Sequence, residues 1–187
     1  MTESLFSDKP FDKCSLLPKG EYENCTFNSC QLAESNLSGY KFIDCVFNDC
    51  NLSLATLNKT TFQDVTFYNC KMLGLRFDVC NEFGLSFSFE GCQLQHTSFY
   101  KLKIKKTVFK DSQLQEVDFA EADLTGAVFD NCNLLQAHFD RTLLENADLR
   151  TAYYYSFDPE INRIKNAKFS VGGIAGLLHK YDIEIEE

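Results

Sequence analysis

Large apolar residues recur every five positions along most of this chain. The rhythm is clearest from Glu121 to Phe139, where Leu124, Phe129, Leu134 and Phe139 follow Ala122, Ala127, Cys132 and Ala137 by two places and the remaining positions are mostly polar. One run of such centres extends from Leu17 through Phe27, Phe47 and Phe67 to Phe77, and a second from Leu94 through Phe109 and Phe129 to Tyr154. Between them the phase slips by two residues and Glu82 falls on a centre. A helix needs returns at three and four and a strand returns at two, so a sustained period of five fits neither. A solenoid does fit, because each coil covers the apolar face of its neighbour.

The organisation that follows is an amino-terminal cap over 1–16 and a coiled body over 17–154 with a bulge near 78–93. A final partial coil and a cap or dimerisation segment occupy 155–187. Two places before each centre the residue is small, as with Cys25, Cys30, Ser35, Cys45, Cys50, Ala55 and Thr60, which implies a narrow, filled interior. After Tyr155 the pattern changes. Ile174, Leu177, Leu178 and Tyr181 are spaced as on a short helix that Ser170 caps, and Tyr181, Ile183 and Ile185 alternate as in a strand.

Composition narrows the possibilities. At 187 residues and 44% apolar, one domain is expected. The amino end lacks a basic start and an apolar core, so neither a signal peptide nor a membrane span is expected, and the protein reads as cytoplasmic. Eight of the nine cysteines occupy the small inward slot, which assigns them to packing as free thiols, with no disulfides and no metal site. His96, His138 and His179 are widely separated, and Gly172 and Gly173 lack the neighbours of a phosphate loop. No catalytic residue, cofactor or metal is therefore expected, and the protein reads as a non-enzyme.

Charge is unevenly placed. The net charge is −9, and residues 111–160 hold eleven carboxylates against only Arg141 and Arg150. Asp118, Glu121, Asp123, Asp130, Asp140, Glu145 and Asp148 all fall outside the inward slots, and a four-faced coil puts them on three adjacent faces as columns of carboxylates. They are the candidate partner-binding surface. Just upstream, Lys101, Lys103, Lys105, Lys106 and Lys110 form a basic row, read as making cross-coil ion pairs rather than touching nucleic acid.

The unit ADLTG and the small-x-large rhythm resemble the pentapeptide repeat family. That resemblance implies an all-β fold, a right-handed quadrilateral β-helix with four five-residue faces per coil, closed here by a short carboxyl-terminal helix and strand. Stretches such as CNLSL, FYNCKMLGLRF, LSFSFEGCQL and DFAEADLTGAVF are similar to the albicidin-resistance and microcin-immunity subgroup, related to quinolone-resistance proteins of the Qnr type. The implied function is DNA mimicry: binding DNA gyrase or topoisomerase IV and protecting it from a poison. The alternative is a non-catalytic scaffold or regulatory interaction module. Related proteins dimerise at the carboxyl end, which implies a homodimer here through Ile174, Leu177, Leu178, Tyr181, Ile183 and Ile185.

Overall fold

The computed structural model describes residues 4–186. Eleven short strands follow one another: β1 (Ser4–Ser7), β2 (Pro10–Asp12), β3 (Gly20–Glu23), β4 (Thr26–Asn28), β5 (Lys41–Ile43) and β6 (Val46–Asn48). They continue as β7 (Thr61–Gln63), β8 (Val65–Tyr68), β9 (Phe87–Glu90), β10 (Val108–Lys110) and β11 (Val128–Asp130). β1, β3, β5 and β7 make one parallel sheet; the other seven make a second. Isolated parallel bridges, such as Gln31 to Asn51 and Ser98 to Asp118, carry the remaining sides.

The registers measure the coil. Phe27 pairs with Phe47 and Phe47 with Phe67, a step of twenty residues, or four five-residue sides. Two steps differ. Phe6 pairs with Tyr22 and Phe11 with Phe27, a step of sixteen, so the segment expected to cap the amino end carries strands in register with the first coil. Phe67 pairs with Phe89, a step of twenty-two, which places the expected phase slip as a two-residue insertion.

Corners repeat every five residues because the second residue after most centres turns left-handed, as at Asn24 (φ 50°), Asp44 (φ 51°), Asp64 (φ 50°) and Gly126 (φ 71°). Asn, Asp and Gly tolerate that region best, which is why they recur there. At most corners the N–H reaches the next coil; Asn24 donates to the Ile43 carbonyl at 3.0 Å.

The inward slot proves to be chemical as well as small. Thr60 Oγ1 donates to the Leu37 carbonyl at 2.8 Å, Cys45 Sγ to Tyr22 at 3.3 Å and Cys70 Sγ to Phe47 at 3.4 Å, each reaching a centre of the preceding coil. A small side chain with a donor thus fills the corner and pairs an interior carbonyl. All nine cysteines are free thiols, eight of them buried.

Rings fill the middle. Phe11, Phe27, Phe47, Phe67, Phe89, Phe109 and Phe129 stack on one side with centroids 4.4–5.3 Å apart. A second stack, Phe6, Tyr22, Phe42 and Phe62, ends at the insertion. Beyond it Phe77, Phe99, Phe119 and Phe139 begin another on the preceding side. Phe87, buried beside Phe77 and Phe89, bridges the change.

Two expectations at the carboxyl end are corrected. Tyr154 is not an inward centre: it has φ 61° and is 67% exposed, while Tyr155 and Phe157 are buried in its place. Tyr181, Ile183 and Ile185 form no strand. The helix is a single turn, α1 (Ala175–Leu178), followed by a 3-10 turn over His179–Tyr181, and Asp182 turns left-handed at φ 50° and breaks the alternation. Ser170 Oγ accepts the Gly173 N–H at 3.1 Å, so it caps the turn leading into α1. Leu177 joins the buried core and the Gly176 carbonyl accepts the Phe157 N–H at 3.1 Å, which makes the helix a lid on the open end of the core.

Candidate partner-binding surface

Each carboxylate of the candidate surface sits at a fixed place in a five-residue unit, and that place sets its partners. Asp118, Asp123 and Asp148 stand immediately before a centre. There each accepts the backbone N–H two residues on: Ala120 at 2.9 Å, Thr125 at 3.1 Å and Arg150 at 3.2 Å. These are Asx turns, so the three acids hold corners together as well as carrying charge. Asn36, Asn51 and Asn133 do the same elsewhere, without charge.

The acids lie on three adjacent sides, but they do not form columns of carboxylates. In the twenty-residue register Asp118 is followed by His138, Glu121 by Arg141 and Asp130 by Arg150. The physical reason is the ladder spacing of about 4.8 Å, at which stacked like charges repel and opposite ones attract. Glu121 is the clearest case, lying between Lys101 at 3.5 Å and Arg141 at 3.2 Å and accepting from the Tyr100 hydroxyl at 3.2 Å. Asp123 pairs with Lys105 at 3.2 Å, Asp140 with Arg141 at 3.1 Å, Asp148 with Arg150 at 2.7 Å and Glu145 with Arg163 at 2.8 Å. Asp130 accepts from the Thr151 hydroxyl at 2.9 Å, and Asp118 lies 3.8 Å from His138 Nδ1.

These partners shift the titrations. The Arg150 guanidinium holds Asp148 below the usual carboxylate range. Partial desolvation pushes Glu121 upward, but Lys101, Tyr100 and Arg141 together outweigh it and the net shift is down. In Asp123 desolvation is likewise overcome by the Thr125 and Lys105 hydrogen bonds. Each of these acids is therefore fully ionised at neutral pH.

The basic row does make cross-coil ion pairs, at Lys101, Lys105 and Lys110, the last with Glu90 at 2.7 Å. Lys103 and Lys106 form none among the described residues. Six cations meet the eleven acids of 111–160: Arg141 and Arg150 from within, Lys101, Lys105 and Arg163 from flanking coils, and Lys180 from the carboxyl-terminal turn. Eleven acids against two arginines leave nine net negative charges within residues 111–160, which the flanking cations counter in part. Among the described residues no group of three or more His, Cys, Asp or Glu is placed to hold a metal, and no helix is long and apolar enough to cross a membrane.

Of the expected dimer residues, Ile174, Tyr181, Ile183 and Ile185 are exposed, together with Ile161 and Val171. Leu177 is buried in the chain's own core and is removed from that set. Tyr181 is fixed through its hydroxyl to Glu160 at 2.8 Å. Phe89 and Phe87 extend the second run by one unit, five residues before Leu94 and in the inward slot two before that, a phase that alternating LSFSFE obscures.

A family model described as a pentapeptide repeat region matches residues 21–88 and 85–153. Among solved structures, a trypsin-treated variant of QnrB1, a plasmid-mediated fluoroquinolone resistance protein, is similar over 100% of both chains, with 16% identity and a TM-score of 0.60. Full-length QnrB1 is similar over 96% of this chain and 100% of its own, with 17% identity and a TM-score of 0.51. HetL from the cyanobacterium Nostoc sp. strain PCC 7120, a pentapeptide repeat protein involved in heterocyst differentiation regulation, has 14% identity over 89% of this chain and 85% of its own, with a TM-score of 0.46. No curated protein matches the chain.

Proposed function

Because the chain belongs to the pentapeptide repeat family, we propose that it is a non-catalytic protein that binds a type II topoisomerase, DNA gyrase or topoisomerase IV, in place of DNA and protects it from a poison. The observation that carries this reading is the excess of negative charge on one part of a rigid rod, presented on three of its sides. A basic DNA-binding saddle attracts phosphates by long-range electrostatics and would attract this surface by the same means. The sequence resemblance to the Qnr-related subgroup, and the fold in common with QnrB1, support the choice of partner. On this reading the protein works in the cytoplasm, where such an enzyme acts, as a homodimer joined at the exposed apolar residues of its carboxyl end.

The test is a gyrase supercoiling assay with added protein, with and without a fluoroquinolone or albicidin. Restored supercoiling in the presence of the drug is the expected result; no effect in any combination sinks the proposal. A second reading is favoured by the corner-capping roles of Asp118, Asp123 and Asp148: the acids serve the coil itself, and the protein is a scaffold or regulatory interaction module. Recovery from cytosol of a partner other than a topoisomerase supports that reading.

A further inference from the structure

Five of the cysteines stand in one line along the rod, and only the first of them meets solvent. The carbonyls of Cys14, Cys30, Cys50 and Cys70 accept from the N–H groups of Gln31, Asn51, Lys71 and Gln93 at 2.7–2.9 Å, the same bond in successive coils. Cys14, Cys30, Cys50, Cys70 and Cys92 are therefore ladder neighbours, each about 4.8 Å from the next. The buried side chains share one orientation as well. Cys30, Cys50, Cys70 and Cys92 Sγ donate to the carbonyls of Phe11, Phe27, Phe47 and Phe67 at 3.2–3.4 Å. Beyond Cys92 the line is broken by Ser112, whose Oγ accepts the Cys92 N–H at 3.1 Å.

Cys14 differs because it lies on the outermost coil. It packs against the core while staying half-exposed, whereas Cys30 and the three thiols after it are buried. Its Sγ makes one long contact, to the Asp12 carbonyl at 3.7 Å. A small oxidant in solution therefore meets Cys14 and none of the other four. The backbone already suits a bond to its neighbour, since a disulfide spans Cα atoms about 4.4–6.8 Å apart and ladder partners fall within that range. The strands beside Cys14 are also the ones with most to gain. β1 and β2 each end a sheet and are paired on one side only.

We propose that Cys14 and Cys30 form an oxidative modification site: a peroxide oxidises Cys14, and Cys30 resolves it into a disulfide that fastens the amino-terminal strands to the coil beneath. The Cys14 thiolate attacks one peroxide oxygen, the O–O bond breaks, and the hydroxide released takes up a proton as water, leaving a sulfenic acid. The Cys30 sulfur then attacks the Cys14 sulfur. The S–O bond breaks, and the departing hydroxide carries off the Cys30 proton as a second water. One peroxide is thus reduced to two waters while two thiols become one disulfide. Burial holds Cys30 in its thiol form, so it reacts only with a sulfur placed against it.

The test treats the purified full chain with hydrogen peroxide and maps its peptides without reductant. A Cys14–Cys30 cross-link is expected, with an unfolding temperature raised by about 5 °C and both changes reversed by dithiothreitol. Cys30→Ser should stop at a Cys14 sulfenic acid that a dimedone probe traps, and Cys14→Ser should resist the same dose. Serine already fills this slot at position 112, and unfolding of both variants before treatment checks that they fold. A wild type left unmodified overturns the proposal, as does one that carries oxidised Cys14 beside a free Cys30. A cross-link between chains, or between the deeper thiols, overturns it equally. A Cys14–Cys30 cross-link without the rise in unfolding temperature overturns the fastening role.

Discussion

Phe67 stacks on Phe89 as closely as Phe47 stacks on Phe67, although the first pair is separated by two more residues. The centroids are 5.3 Å and 5.1 Å apart, with planes within 20° of parallel in both. The extra residues are therefore expelled outward and the aromatic core continues beneath them. Truncating either ring should leave a void that the stack cannot close.

Phe89→Ala is accordingly expected to cost about 3–5 kcal/mol in chemical unfolding. Deleting Glu82 and Phe83, which restores the twenty-residue step, should leave a cooperatively unfolding solenoid. A deletion variant without cooperative unfolding would mean that the bulge supports the core rather than riding on it.

The thiols make a second prediction. Burial pushes Cys30 up to about 12, Cys45 to about 11 and Cys132 to about 12, so at neutral pH none offers a thiolate. A thiol reagent applied to the native protein should label Cys14, the half-exposed cysteine, and the other eight only after unfolding. The same shifts set an alkaline limit. Unfolded cysteine ionises near 8.5, so above that pH the unfolded chain releases protons that the folded chain retains, and stability falls from about pH 8.5 toward 11–12. Serine at positions 30, 45 and 132 should flatten that decline, and an equally steep decline would assign it to other groups.

Much of the coil was legible in the sequence because two positions in every five carry the same instruction. Leu124 with Ala122 and Phe129 with Ala127 leave no competing phase. Where the code is degenerate, packing decides: three consecutive tyrosines offer three phases, and the last coil buries Tyr155 and turns Tyr154 outward. The candidate surface was legible in position but not in pairing. Arg141 stands twenty residues from Glu121 and His138 twenty from Asp118, a distance that a five-residue reading passes over although the residues themselves were in view.

That pairing separates two roles of the acids experimentally. Asparagine keeps the Oδ1 acceptor of an Asx turn and removes the charge; alanine removes both. Asp118→Asn, Asp123→Asn and Asp130→Asn combined should therefore preserve folding while weakening gyrase binding and reducing its salt slope. Asp123→Ala should cost about 1 kcal/mol of stability through the lost hydrogen bonds. Because the folded pKa values of Asp123 and Asp148 are lowered, their stabilisation is present above the ordinary carboxylate value and is lost as pH falls through the folded one. Unchanged binding by the triple asparagine variant at low salt would reduce the acidic coils to a solvated surface.

The two ends of the rod differ in how they avoid stacking end to end. At the amino end the outer strands are short, with Lys9, Pro10, Lys13 and Pro18 at the edge, features that discourage further pairing. At the carboxyl end α1 covers the core through Leu177, yet Val171, Ile174, Ile183 and Ile185 remain exposed. This apolar surface, four side chains against Leu5 and Leu16 at the amino end, favours a closed pair of copies over a filament. Light scattering on the full chain is therefore expected to give twice the 21.4 kDa chain mass. Ile183→Asp with Ile185→Asp should halve it without lowering the unfolding temperature, because neither side chain enters the core. A wild-type chain that stays monomeric at micromolar concentration would leave the apolar end without this partner.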